Sequence, residues 1–183
     1  MFHPEKSEIV DCRADYANRA DLCEILDREM KLLYLLAFLL TANHKHAEQC
    51  FVSTIDEAFR ETIVFKDWAR SWVKRCLIKS AIRIVSPSSN RIPEKPDFWS
   101  VTQLATGGGG AVDNVAQLAP LERFVFVMSI LERYSAWDCS LLLGCSLKKV
   151  GLARMRALRR LPELGTFFAG VEAQQSYRLQ VTA

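Results

Sequence analysis

The sequence predicts an all-α protein built as two small helical domains, a helical bundle and a helix-turn-helix, joined by a Pro/Gly-rich linker. Three observations carry this. Apolar residues recur at helical spacing over 18–41, 45–59, 66–85 and 120–131, and no stretch alternates with the period of a strand. Residues 86–117 hold Pro87, Pro93 and Pro96, then Gly107-Gly108-Gly109-Gly110. Residues 135–161 read as helix, glycine turn, helix. The expected organisation is an N-terminal extension (1–17), a helical domain (18–85), a flexible linker (86–117), a helix-turn-helix domain (118–162) and a C-terminal extension (163–183).

The first helix runs from Asn18 to about Thr41 and becomes apolar on nearly all sides through Leu32-Leu33-Tyr34-Leu35-Leu36-Ala37-Phe38-Leu39-Leu40, as a central core helix does. That run is short of the ~20 residues a membrane span needs, so no membrane contact is expected. Thr41-Ala42-Asn43-His44 breaks the pattern, and a second helix is expected from Lys45 to Phe59. A third, Lys66 to Val85, carries Trp68 and Trp72 one turn apart, and Ser86-Pro87-Ser88-Ser89-Asn90 ends it. The linker follows. Its glycine run lacks a preceding strand and a following Lys-Ser/Thr, so it does not read as a phosphate-binding loop. Pro120 then opens a helix at a favoured first-turn position, with Leu121, Phe124, Val125, Met128 and Leu131 as its apolar stripe.

In the last two helices, Gly144 suits a tight turn because it tolerates positive φ. Ser146 is placed to accept a hydrogen bond from an amide of the helix it precedes. At about 100° per residue, Lys148, Lys149, Arg156, Arg159 and Arg160 share one arc, with Leu147, Val150, Ala157, Leu158 and Leu161 opposite. One face packs and the other offers cations to phosphates, the layout of a DNA-binding helix-turn-helix. The competing reading is a merely solvated basic face.

Composition narrows the function classes. The 183 residues include 24 Lys and Arg against 21 Asp and Glu, a net charge of +3, so nucleic-acid binding requires local clustering of charge. Six cysteines form no Cys-x-x-Cys pair and read as reduced thiols of a cytoplasmic protein. The N-terminus, Met1-Phe2-His3-Pro4-Glu5-Lys6, is polar and unlike a secretory leader. The three histidines form no catalytic pattern, so no enzyme, no catalytic residue and no cofactor is expected. His44, His46 and Cys50 are the one metal-ligand candidate, but their spacing is not a zinc signature and no fourth ligand is near, so no metal is expected.

The order of these segments, and several motifs, resemble the extracytoplasmic-function sigma factors of bacterial RNA polymerase. Leu32 to Asn43 followed by Ala47-Glu48 is similar to the family's "LY-LA--LTGN--DAED". Phe65-Lys66-Asp67-Trp68 resembles "F--W", and Leu118 to Phe126 resembles "LP--ER-VF". Ser135 to Ser146 resembles "SYEEIAELLGCS", with Leu142-Leu143-Gly144-Cys145-Ser146 matching in full. The likeness covers roughly 28–85 and 116–162. It departs at Gln49 to Ile55, where the family carries "DLVQETF", at Arg75, where it carries Asn, and at Gly151-Leu152-Ala153, where it carries "KSR".

The resemblance implies a protein that binds core RNA polymerase and double-stranded promoter DNA, with an anti-sigma protein as a further candidate partner. It places upstream-element contacts at Ser146, Lys148, Lys149, Arg156, Arg159 and Arg160. Downstream contacts and promoter melting fall to Lys66, Trp68, Arg70, Trp72, Lys74, Arg75 and Lys79, where tryptophan faces can stack on unpaired bases. For those tryptophans, core packing is the competing reading. Polymerase contacts fall to Glu48, Gln49, Val52, Ser53 and Asp56. The replaced "DLVQETF" residues sustain an alternative, a degenerate sigma-like DNA- or protein-binding regulator that does not itself initiate transcription.

Overall fold

In the computed structural model, residues 16–60, 64–88 and 109–161 are described. They form seven α-helices and one π-helical turn, and among them no strand occurs beyond an isolated bridge between Tyr16 and Phe65. The helices are α1 (Arg19–Thr41), α2 (His44–Arg60), α3 (Lys66–Val85), α4 (Gly109–Ala116), α5 (Pro120–Phe126), α6 (Ala136–Leu143) and α7 (Leu147–Arg160).

Helix ends are set by local chemistry. Asn18 Oδ1 accepts from the Ala20 and Asp21 amides, and the Asp21 carboxylate accepts from the Asn18 amide, a reciprocal cap. Ala42 in the left-handed conformation (φ 52°) stops α1, and the Asn43 side chain accepts from the His46 amide to start α2. Ser86 (φ 50°) ends α3 in the same way, and Pro87 follows.

α1 is the central helix, packed against α2, α3, α4 and α5. Leu33, Leu36, Ala37, Phe38, Leu39 and Leu40 are buried, while Leu32 at the start of the apolar run is exposed and Tyr34 and Leu35 are half-buried, so the run is core on all sides only from Leu36 onward. Each fully buried large side chain of this kind contributes about 1.5–3 kcal/mol of transfer free energy. No described helix is long and apolar enough to cross a membrane.

Two features depart from the sequence reading. Residues 109–116, assigned to the flexible linker, are helical, while 89–108 and both extensions lie outside the described residues apart from Tyr16 and Ala17. Val115 and Ala116 of α4, and Leu118 beyond it, are buried in the core against α1. That apolar stripe offsets the roughly 1 kcal/mol that a helical glycine costs. The second departure follows α5. The helix widens into a π turn at Val127–Leu131, closed by Glu132 N donating to Val127 O at 3.0 Å. Ser129 Oγ donates to the Val125 carbonyl there, adding a side-chain bond at the widened turn.

The two halves pack against each other and share one core, rather than standing apart as two beads. Arg123 of α5 joins them. Its buried guanidinium donates from Nε to Leu40 O (3.0 Å) and from Nη2 to Thr41 O (3.3 Å). Nη1 reaches Ala116 O (3.2 Å) and Leu118 O (3.1 Å). The last carbonyls of a helix have no partner within it and carry partial negative charge, so a cation there satisfies both needs. Burial lowers this guanidinium to about 10, which leaves it charged at neutral pH. Lys74 to Glu132 (2.7 Å) and Ser88 Oγ to Leu143 O (2.6 Å) add further bonds across the same boundary.

Candidate nucleic-acid interface

α6 and α7 are two helices joined by a short turn at residues 144–146, in the region that the sequence reads as helix, glycine turn, helix. Ser135 and Asp138 cap α6 reciprocally, and Gly144 adopts φ 60° at its end. The Cys145 amide donates back to Ser140 O at 3.1 Å, closing the turn. Ser146 Oγ accepts from the Lys149 amide at 3.3 Å, so this exposed residue acts as the cap of α7.

Val150, Ala153, Ala157 and Leu161 are buried and fix the roll of α7 about its axis. Lys148, Lys149, Arg156 and Arg159 project into solvent, and none has an ion pair among the described residues. Arg160 differs. Its Nη1 lies 3.1 Å from Oε2 of the buried Glu122, a charge contact without hydrogen-bond alignment. Arg160 is thus held toward α5 and is not a fifth open cation. Two further assignments change. Leu147, placed on the packing face, is exposed; it is the first residue of α7, about 60° around the helix from Val150, at the edge of the buried stripe. Ala153, aligned with a DNA-facing position, is buried, because it follows Val150 at i+3 on the packed stripe. Leu152 and Met155 are exposed beside the cations. Neither belongs to the basic arc expected from the sequence, although the i+4 spacing of Leu152 and the i+7 spacing of Met155 from Lys148 carry the signal.

The basic residues of α3 stand in a different electrostatic setting. Lys66 lies 3.6 Å from Asp21, Arg70 2.5 Å from Glu29, and Lys74 2.7 Å from Glu132. Lys79 lies 4.0 Å from Glu57, which also binds Arg83, and sits 5.3 Å over the Trp72 ring. Arg75 alone of the predicted set has no carboxylate partner among the described residues. Trp68 is 66% exposed, so core packing does not account for it. Its ring lies T-shaped against Phe65 at 5.5 Å, and Phe65 stacks on Tyr16 at 4.7 Å. Trp72 is half-buried, and its Nε1 has no hydrogen-bond partner. Phe65, Trp68, Trp72, Arg75 and Tyr134 line a groove of about 450 Å³. Burial raises the Tyr134 phenol, and the charge of Arg75 opposes that shift.

Glu48, Gln49, Val52, Ser53 and Asp56 share the outward face of α2, with Val52 59% exposed. Their spacing spans less than half of the helix circumference. Glu57 turns instead toward α3 and its cations.

The metal-ligand candidate is not assembled. His44 Nδ1 lies 3.0 Å from the Tyr34 hydroxyl, with the Phe38 ring 4.5 Å away. Cys50 Sγ is buried and donates to Leu77 O at 3.3 Å, and burial pushes its thiol up to about 12. Among the described residues no group of three or more His, Cys, Asp and Glu is arranged to hold a metal. Cys23, Cys50, Cys139 and Cys145 are free thiols.

Set against known proteins, the chain matches no family model, and no curated protein matches it significantly.

Proposed function

We propose that this chain is a divergent sigma-factor-like protein of the cytoplasm, which binds core RNA polymerase and promoter DNA and directs transcription initiation without catalysis of its own. The observation that carries this reading is the capped helix-turn-helix, whose second helix holds Lys148, Lys149, Arg156 and Arg159 outward with no carboxylate partner among the described residues. Phosphate contacts of this kind position a helix on a duplex. Support from the other half is the exposed Trp68 beside Phe65 and Arg75, a surface on which an unpaired base can stack. The outward face of α2, from Glu48 to Asp56, supplies the polymerase contact. The test is a pull-down with purified bacterial core polymerase. Association is expected, and none at low salt overturns the reading.

One observation favours a second reading, a sigma-like regulator that binds DNA or a protein without initiating. Most cations of α3 are engaged by carboxylates, and Arg123 and Lys74 dock the C-terminal half against α1 and α3. A reconstituted, promoter-dependent transcription assay separates the two. Transcripts support the sigma factor, and a DNA shift without transcripts supports the regulator.

A further inference from the structure

We infer that α7 selects thymine-containing DNA through methyl contacts, with Leu152 and Met155 as the specificity-determining side chains. The inference rests on the DNA-binding reading above and deepens it.

The roll of α7 fixes what it shows to a partner. Val150, Ala153, Ala157 and Leu161 face the core. The row most nearly opposite is Lys148, Leu152, Met155 and Arg159, spaced i, i+4, i+7 and i+11. Leu152 is 41% exposed and Met155 49% exposed, so neither is spent on the core. They occupy the middle of the row, and cations occupy its ends.

Charge names the occupant. α7 contains six Lys and Arg and no Asp or Glu. Lys148 and Arg159 are about 16 Å apart along the axis at 1.5 Å per residue. The B-form major groove is about 12 Å wide. Two long basic side chains at that separation can reach phosphates on both walls while the centre of the row lies over the base edges. Gly151, beside Leu152, has open space around its Cα, so the helix can approach closely there.

Chemistry then names the base. Leucine has no hydrogen-bonding group, and the methionine thioether is only a weak acceptor. Neither can pair with the donors and acceptors that mark guanine, cytosine or adenine in the major groove. The one apolar group on that surface is the C5-methyl of thymine. Leu152 is branched and compact, whereas Met155 is flexible and adapts to a neighbouring methyl. The cations supply affinity and the two apolar side chains supply preference.

The full chain is used to select duplexes from a randomised pool at low salt. The selected duplex is then rebuilt with dT replaced by dU, one position at a time. Selected sites are expected to share thymine, and removing one contacted methyl weakens binding about fourfold. A Leu152→Ala/Met155→Ala chain binds dT and dU duplexes equally with its salt dependence unchanged; both positions are exposed and alanine favours helix, which circular dichroism checks. Equal binding of dT and dU by the unaltered chain, or discrimination that survives in the double variant, overturns the inference and leaves DNA binding standing. Retention of no duplex overturns the DNA-binding reading together with the inference. Capture of an acidic amphipathic peptide in that case, abolished in the double variant, assigns this face to a protein instead.

Discussion

α3 and α7 carry the same number of basic residues, six each, and hold them in opposite ways. On α3 five of the six lie against carboxylates from α1, α2 and the segment after the π turn. On α7 four stand open along one arc. The cause is position in the fold. α3 packs against both α1 and α2, so its flanks face Asp21, Glu29 and Glu57. α7 packs on α5 and α6 by one stripe, and Glu122 reaches only its last turn, at Arg160. Exposed ion pairs add little to stability, but they cancel the field that would attract a polyanion. A count of Lys and Arg therefore does not locate a binding surface; the distribution of carboxylates around them does.

The largest effect tests what joins the half that carries α3 to the half that carries α7. Arg123→Met leaves the carbonyls of Leu40, Thr41, Ala116 and Leu118 without their buried donor. A destabilisation of about 3 kcal/mol is expected, since unsatisfied buried acceptors cost roughly 1–3 kcal/mol each and relaxation recovers part. Urea unfolding of the full chain measures it. A change below about 1 kcal/mol means that the boundary between the halves is held by apolar packing rather than by this guanidinium.

The next test addresses the comparison itself. Lys149→Ala with Arg156→Ala should flatten the dependence of log affinity on log salt by about 1.8, since each phosphate that a cation no longer neutralises removes about 0.9 from the slope. All sequences should weaken alike, because phosphate contacts carry no base information. Arg70→Ala with Lys79→Ala on α3 should leave that slope nearly unchanged, since both cations already face carboxylates. Equal slopes for the two double variants break the contrast.

A smaller effect separates helix stability from charge. Gly151 lies in the interior of α7, and a Cβ there meets nothing within 4 Å. Gly151→Ala should stabilise the fold by about 0.5–1 kcal/mol in urea unfolding. The salt slope should stay the same, because no cation moves. A stabilised chain with an altered slope shows that the glycine sets how closely α7 approaches the duplex.

How much of this was legible in the sequence follows from the range of each interaction. The ends of α1, α6 and α7 are written in residues two or three apart, Asn18 with Asp21, Ser135 with Asp138, and Gly144 before Ser146; the Gly144 turn and the Ser146 cap appear as expected, and the two reciprocal caps are additions from the structure. Helix α4 was not legible because it opens with glycine, and its stabilisation comes from docking on α1, some 70 residues earlier in the chain. The π turn depends on packing of a segment buried on all sides, from Phe124 to Met128, where helical periodicity carries no phase. At the candidate site the α7 arc was legible from spacing alone. The neutralisation of α3 was not, since Lys74 meets Glu132 across 58 residues. Ala153 shows the converse. Its burial follows from its i+3 spacing to Val150, but alignment to a family motif pointed it toward DNA.

The smallest effect asks whether charge alone silences α3. Glu132 is the one carboxylate among α3's partners that comes from the C-terminal half, and it holds Lys74 at 2.7 Å in a partly buried setting. Glu132→Gln keeps a hydrogen-bond acceptor of the same shape and removes the negative charge. Stability should fall by no more than about 1 kcal/mol, the usual worth of such a pair. Lys74 then keeps its position but regains its field. If α3 fails to bind DNA only because its cations are neutralised, the salt slope of the full chain should steepen by up to about 0.9, the value for one phosphate. If the slope does not move while the protein stays folded, α3 is kept from the duplex by the docked C-terminal half and not by its carboxylates. The difference between the two basic helices would then be one of access, and opening the boundary at Arg123 would be the way to restore it.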